Sequence, residues 1–589
     1  MSYTAPVEEM AFVLEEVAGL GEARAAGAVG DLSAEDVTAI LSEAGRFAEE
    51  RLAPLDAVGD RHHARFEDGR VTTPPGWKEA WAAWVAGGWS SLTGDPGFGG
   101  QGLPMALQIA ATEIWNQANA AFALNPLLSV GAVEALQLHG TDALKALYLP
   151  HLNAGTWTGT MNLTEPHAGS DLSQLRTRAE PDGGRYRLFG AKIYITYGEH
   201  DLAENIVHMV LARLPDAPEG TRGISLFLVP KFVPGEDGSP AERNDVACVG
   251  IERKLGMHAS PTCTMAYGAE GRGAVGWLVG APHQGLRAMF TMMNNARVQV
   301  GIQGVAVAER ATQRALAYAR DRRQGRAASW RGEGMAPIVH HPDVRRMIAT
   351  MRAATDAARA VAYACAVAID RGRPGRPDAA FWQARADLLT PVAKAFATDV
   401  GVEVASLGIQ VHGGMGYVEE TGAAQHYRDA RIYPIYEGTN GIQAIDLVRR
   451  KIGAADGEVL AAFLAELRAV ASEARGANAL RLGAAADRLD AAIAAVEAAA
   501  GALRRSLDDG GGERALAGAT PFLRALGTTA GGAHLCRAAL RSGNGLAARR
   551  AALARHFAHG FLAGVPALCS GAVEGADDVL EAGSLVAAA

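Results

Sequence analysis

Apolar positions recur with helical spacing towards both ends of the chain and with strand spacing in between. Residues 8 to 27 carry Phe12, Val13, Val17 and Leu20 on one helical face. Ser33, with Glu35 and Asp36 behind it, offers an N-cap and an acidic first turn for a helix presenting Val37, Ile40, Leu41, Ala44 and Phe47. Helical patterning returns near Trp77 to Trp84 and Met105 to Asn119, and again at Val130 to Leu138 and Leu144 to Leu149. Near Thr158 the texture changes. Tyr186 to Phe189, Lys192 to Thr196, Ile206 to Leu211 and Ile224 to Val229 are short, β-rich and punctuated by Gly and Pro, which predicts an antiparallel β domain to about residue 280. From Gly285 the helical period resumes over Ala306 to Arg320, His341 to Asp370 and Phe381 to Leu407. Beyond Lys451 an alanine-rich region reads as further helices, broken by Asp508-Asp-Gly-Gly-Gly512, and predicts a bundle that packs on the rest or makes a subunit contact.

The pattern predicts an α+β fold, mainly α: an N-terminal helical domain, a central antiparallel β domain, a C-terminal helical bundle and an additional C-terminal helical extension. The expected boundaries are 1–34 for an N-terminal helical extension, 35–157, 158–281, 282–450 and 451–589. At 589 residues with 49% hydrophobic and 20% charged content the chain can bury a large core. A net charge of -8 and a balanced extension argue against a nucleic-acid partner. Cys248, Cys263, Cys365, Cys536 and Cys569 are scattered, odd in number and without CxxC spacing, so neither a disulfide framework nor a metal site is expected and a cytoplasmic location fits. The N-terminus lacks a basic and apolar leader, and no run of 18 or more apolar residues reads as a membrane span.

Candidate chemistry centres on Tyr433-Pro-Ile-Tyr-Glu437-Gly-Thr-Asn-Gly-Ile-Gln443. Gly438 lets the chain turn sharply and present the Glu437 carboxyl into a pocket. An apolar pocket would raise its proton affinity and make it a base near neutral pH. Leu163-Thr-Glu-Pro-His-Ala-Gly-Ser-Asp171 ends a strand in a Pro/Gly turn, and read alone it is a capped turn at the edge of the β domain. Gln410-Val-His-Gly-Gly-Met-Gly-Tyr417 places glycines after a helix, where backbone N–H groups can approach phosphate. His412 reads as a packed or solvated histidine without metal-ligand companions.

Together these three segments resemble the acyl-CoA dehydrogenase family, flavoenzymes that desaturate acyl thioesters, and the resemblance spans roughly residues 35 to 450. It implies FAD as cofactor, an acyl-CoA substrate converted to the 2-enoyl-CoA, and an electron-transferring flavoprotein as acceptor. It assigns Glu437 as the catalytic base, because the position where some members carry that carboxylate is here Ala296. Leu163, Thr164, Tyr194, Thr196, Arg322, Gln324, Gln410, Gly413, Gly414 and Thr439 fall to the cofactor; Ser170, Asn294, Arg297 and Gly438 fall to the substrate. By strand alternation Tyr194 and Thr196 share a face; an ordinary strand with one polar face is the other reading. A solvated helix-end arginine weighs evenly against the substrate role for Arg297 and is the lesser reading for Arg322. Tyr194 stands where tryptophan is usual, and Asn162, Gln174, Gly325-Arg326 and Gln425 also depart from the family pattern. The long extension and Glu419 to Gln425 resemble an extended bacterial subgroup, the 3-methylmercaptopropionyl-CoA dehydrogenases, and imply a homodimer. An acyl-CoA oxidase, a DNA-associated alkylation-response flavoprotein of the same fold and a non-enzymatic helical scaffold are the competing readings.

Overall fold

The computed structural model describes residues 3–543 and 545–588, which gather into two compact units. One comprises Arg46–Pro104 and Ala118–Ala296; the other comprises Met1–Gly45, Met105–Gln117 and Arg297–Ala589. The helix α1, Met105–His139, contributes to both, and its backbone breaks at Asn119 with φ -159° and ψ 92°. Asn119 Oδ1 then accepts the Phe122 N–H at 3.0 Å, so the asparagine re-caps the second half of its own helix. By length and composition α1 could cross a membrane, contrary to the sequence expectation, but 83% of its most apolar window is buried inside the protein.

In the first unit an eight-stranded sheet is flanked by helices. Its strands are β1 (Trp157–Asn162), β2 (Arg178–Asp182), β3 (Arg185–Thr196), β4 (Asn205–Arg213), β5 (Ile224–Pro230), β6 (Val246–Ile251), β7 (Thr262–Tyr267) and β8 (Ala274–Val279). The spatial order is β6-β7-β3-β8-β5-β4-β1, with β2 pairing to β3 and β4 off that path. Most pairs are antiparallel as expected, but β1 runs parallel to β4. The chain reaches that register only by way of the β2–β3 hairpin, the long crossover a parallel pair needs. β4 and β5 are buried along almost their whole lengths, which is why Ile206 to Leu211 reads as a continuous apolar run. Trp77, Trp81 and Trp84 pack around Phe122 at ring distances of 6.0 to 6.2 Å and close the helical side of this unit.

The second unit is helical. Its long members are α2 (Gly285–Asp321, from Arg297 onward), α3 (Pro342–Arg371) and α4 (Ala379–His412), followed by the short α5 (Asn440–Asp446) and, in the extension, α6 (Ala519–Arg541). α2 and α4 lie backbone to backbone: a Cβ on Gly304 would stand 2.3 Å from the Ala397 carbonyl oxygen, and one on Gly301 2.8 Å from that of Ala393. α6 presses its glycines onto side chains of α3 and α4, with Gly527 against the Phe396 ring and Gly531 against the Ala357 methyl. The extension therefore packs on the bundle of its own chain. The N-terminal helices join this unit through Arg550, which bonds Glu9 at 2.6 Å and lies 3.5 Å over the Phe12 ring.

Charge is buried here too. Arg359, fully buried, donates to Glu113 at 2.8 and 2.9 Å, to Glu309 at 2.8 Å and to Asp356 at 3.0 Å, while Tyr363 donates to the other Glu113 oxygen at 2.6 Å. Arg359→Leu strips three carboxylates of their common donor and is expected to cost about 3–5 kcal/mol. Gly304→Ala drives a methyl into the Ala397 carbonyl and is expected to cost about 1–3 kcal/mol. Both losses are measurable by denaturant titration of the purified variants.

Candidate active site

Glu437 sits on a turn whose two ends are tied together. Tyr433 is fully buried at its start, and the Asn440 N–H donates back to the Pro434 carbonyl at 2.9 Å. Between them Glu437 has φ 56° and Gly438 φ 82°, two left-handed residues in succession. Gly438 adopts that conformation freely, whereas a glutamate there costs about 1–3 kcal/mol and persists only where its surroundings fix it. The fixing is visible. Thr439 Oγ1 caps α5 by accepting the Ile442 N–H at 3.2 Å, and Gln443 Nε2 donates to the Gly438 carbonyl at 3.2 Å. Tyr436 donates its hydroxyl proton to Gln303 on α2, and Gln303 donates on to Asn116 at 2.9 Å.

The carboxyl keeps partial solvent access, yet burial is the leading influence on it and pushes its proton affinity above the ordinary carboxylate range. Two cations pull the other way, Arg297 from α2 and Lys394 from α4. Both are themselves buried. Burial draws Arg297 down from its usual value, opposed by Asp446 and Glu437, and Asp446 Oδ2 lies 3.9 Å from its Nη1. Burial pushes Lys394 down to about 7, opposed by Glu437 and Asp399. A carboxylate whose proton affinity is raised by burial, with two buried cations acting on it, has the character of a general base.

Of the residues expected at this centre, Glu437, Gly438, Thr439 and Arg297 come together: a Cβ on Gly438 would lie 3.9 Å from Arg297 Nη2. Lys394, Asn440, Asp399 and Gln443 were not foreseen. The signal for Lys394 was present as a lone cation among Pro391, Val392, Ala393, Ala395, Phe396 and Ala397 on a helix otherwise apolar there.

A second group of expected residues lies where α2 and α4 end. Tyr318 and His412 stack with ring centroids 4.4 Å apart, which joins the segment carrying Arg322 and Gln324 to the Gln410–Gly414 turn. Arg322, Gln324, Gln410, Gly413 and Gly414 are all exposed, and a Cβ on either glycine would meet nothing within 4 Å. Basic side chains beside an open, glycine-lined backbone suit a phosphate-bearing ligand. His412 is packed, with Nδ1 2.7 Å from the Gly408 carbonyl.

In the β-containing unit, Leu163 and Thr164 leave β1 half-buried and Ser170 is exposed, as is Asn294 on α2. Lys192 is fully buried and donates to the Leu163 carbonyl at 3.0 Å and to Glu165 Oε1 at 2.8 Å. Burial works against the Glu165 charge, but Lys192, Thr177 and the Arg176 N–H outweigh it and hold the carboxyl below its usual range. Tyr194 departs from simple alternation: three β3 steps from Ile195 to Lys192 oppose two β7 steps from Cys263 to Met265. This bulge places Tyr194 at φ 60° and leaves the residue 60% exposed, with half-buried Thr196 two positions on. An aromatic face turned outward and the Thr164 and Thr196 hydroxyls, which bond no other described side chain, fit a flat, polar-edged ring system such as a flavin.

Comparison with known proteins agrees with this chemistry. Residues 34–156, 160–268 and 283–452 match the N-terminal, middle and C-terminal domains of acyl-CoA dehydrogenases, and residues 463–582 match a region described as acetyl-CoA dehydrogenase C-terminal like. A 3-methylmercaptopropionyl-CoA dehydrogenase from Ruegeria pomeroyi is 51% identical over 475 residues, 80% of either chain. The fold matches that of an acyl-CoA dehydrogenase complexed with FAD from Bacillus anthracis at TM-score 0.74, with 21% identity over 94% of this chain and 91% of that one. It also matches Caenorhabditis elegans ACDH-11 in complex with C11-CoA at TM-score 0.75, with 20% identity over 95% and 91%. Domain by domain from residue 34 to residue 582, and by identity well above the level that fold alone requires, the chain belongs to the acyl-CoA dehydrogenase family.

Proposed function

We propose that Glu437 is the base with which this FAD-dependent acyl-CoA dehydrogenase takes the α-proton of its thioester substrate. The observation that carries the reading is a glutamate in left-handed backbone whose carboxyl is raised by burial between Arg297 and Lys394. Bound FAD supplies the acceptor for the β-hydrogen as hydride. The chain orients the reacting groups and holds the abstracted proton on the Glu437 carboxyl. Charge developing on the thioester oxygen calls for donors, and the Glu437 N–H meets that need on the family pattern. Leu163, Thr164, Tyr194, Thr196 and Thr439 are proposed to hold the flavin. Arg322, Gln324, Gln410, Gly413 and Gly414 are proposed to reach the phosphates of FAD bound to a neighbouring subunit, and Ser170, Asn294, Arg297 and Gly438 to contact substrate.

The similarity to the Ruegeria enzyme supports a short acyl-CoA, with 3-(methylthio)propanoyl-CoA as the first candidate. Electron-transferring flavoprotein is the proposed acceptor. Five free, buried cysteines support a reducing cytoplasm. The five-part division at residues 34, 157, 281 and 450 is proposed as the functional one. Because α6 covers α3 and α4 within the chain, a homodimer is the proposed assembly.

Anaerobic mixing with a panel of acyl-CoAs, including the methylthiopropanoyl thioester, should bleach the flavin of the purified enzyme. Glu437→Gln should keep FAD and bind ligand while bleaching slows by about 10²–10⁴-fold; retained activity overturns the assignment. Fast reoxidation of the reduced enzyme in air would instead mark an oxidase. Sedimentation should give a dimer, and a tetramer would remove the proposed role of the extension.

A further inference from the structure

A buried ammonium group acts on the proposed base, and its hydrogen bond reaches beyond that carboxyl. Lys394 stands midway along α4 with no exposed surface and forms no ion pair among the described residues. Its Nζ donates to Asn440 Oδ1 at 2.9 Å. Asn440 in turn donates to Asp399 at 2.7 Å, to Thr398 Oγ1 at 3.0 Å and to the Ala395 carbonyl at 3.3 Å. Asn440 opens α5 three residues after Glu437, so these bonds clamp the far end of the strained turn onto α4. A buried lysine is a costly way to obtain that clamp. An apolar residue of similar length would fill the volume without the desolvation penalty, so packing alone does not account for the charge.

We propose that Lys394 is a positioning residue for Glu437: it holds the Glu437–Asn440 turn and supplies the positive charge against which the base gains and loses its proton. The inference rests on Glu437 being the base. The charges facing this pair are few. Arg297 comes from α2, paired to Asp446 of α5 and near Arg450. Asp399 comes from α4, with Arg524 and Glu403 beyond it. Arg297 repels Lys394, whereas Glu437 and Asp399 attract it. When Glu437 takes the substrate proton it becomes neutral, and Lys394 loses its strongest attractive neighbour. The proton affinities of the two groups are therefore coupled across the reaction.

The sign follows from the charge. Glu437 works as a base only when ionised, so the rate rises as pH climbs through its proton affinity. Lys394 stabilises the ionised form, and its removal pushes that limb upward. In the FAD-loaded full chain, Lys394→Met is expected to move the acid limb of kcat/KM up by about one pH unit, an approximately tenfold loss below the limb that recovers at alkaline pH. Flavin content should stay unchanged. Lys394→Gln keeps a donor for Asn440 without the charge; it should show the same shift, and it serves if the methionine variant does not fold. A loss equal at every pH, or an acid limb left where it was, overturns the inference and leaves Lys394 a part of the fold. Glu437→Gln separates the two readings: if it stays active the base is wrong, and if it is inactive while both Lys394 variants keep the original limb, only the role of Lys394 fails.

Discussion

The close approach of α2 and α4 is the constraint on which the catalytic side of this protein depends. Gly301 and Gly304 remove the side chains that would otherwise part the helices, and the backbones meet at the carbonyls of Ala393 and Ala397. Arg297 lies one turn before Gly301, and Lys394 immediately follows Ala393. The same contact that packs the bundle therefore sets two cations at the level of the Glu437 turn. The extension reinforces this arrangement from outside, since α6 brings its own glycines against Phe396 of α4 and Ala357 of α3.

Burying three charges together looks wasteful, and the balance explains why it is tolerated. Desolvation raises the Glu437 proton affinity and lowers those of Arg297 and Lys394, so each group moves towards neutrality, while the attraction between Glu437 and each cation moves them back towards charge and the repulsion between the two cations opposes it for Lys394. For Glu437 burial wins. A fully compensated carboxylate would be a poor base because its charge would be too comfortable; an uncompensated one would stay protonated. The observed set stands between these limits.

Much of this was legible in the sequence, for identifiable reasons. The order helix, sheet, helix follows from hydrophobic period, which reports what each element buries locally. The turn at Glu437 was legible because Gly438 marks it, whereas the expectation that Glu437 is the base came from the family resemblance and from Ala296. Lys394 was not singled out, because periodicity shows a charged residue inside an apolar stretch without showing which carboxyl, forty-three positions later, comes to face it. The bulge at Tyr194 escaped the alternation rule because an extra residue in a strand is a property of its pairing with β7, and the parallel β1–β4 register depends on the crossover between them. The break at Asn119 was partly legible, since the helical pattern is read to Asn119 and again from Val130; the immediate restart was not, and it rests on the asparagine accepting the Phe122 N–H.

Each of the two units contains a non-glycine residue in left-handed backbone at the centre of its expected chemistry, and each solves the resulting strain alike. In the β-containing unit Tyr194 follows two residues after Lys192, which is buried and gripped by Glu165 and the Leu163 carbonyl; the Ile193 N–H binds the Thr164 carbonyl at 2.9 Å. In the helical unit Glu437 precedes Asn440, which is gripped by the buried Lys394 and by Asp399. A strained residue is held only if its flanks are fixed more strongly than the strain pushes; ladder pairs at Lys192 and Ile195 flank Tyr194, and the Lys394 ammonium donating to Asn440 fixes a flank of Glu437 outside any strand. A lysine suits this task because its long stem crosses the apolar layer while its head meets oxygens on an adjoining segment. The cost of desolvating each ammonium is thus tied to a loop that regular secondary structure cannot hold, and the two buried lysines stand beside the loops proposed for the chemistry.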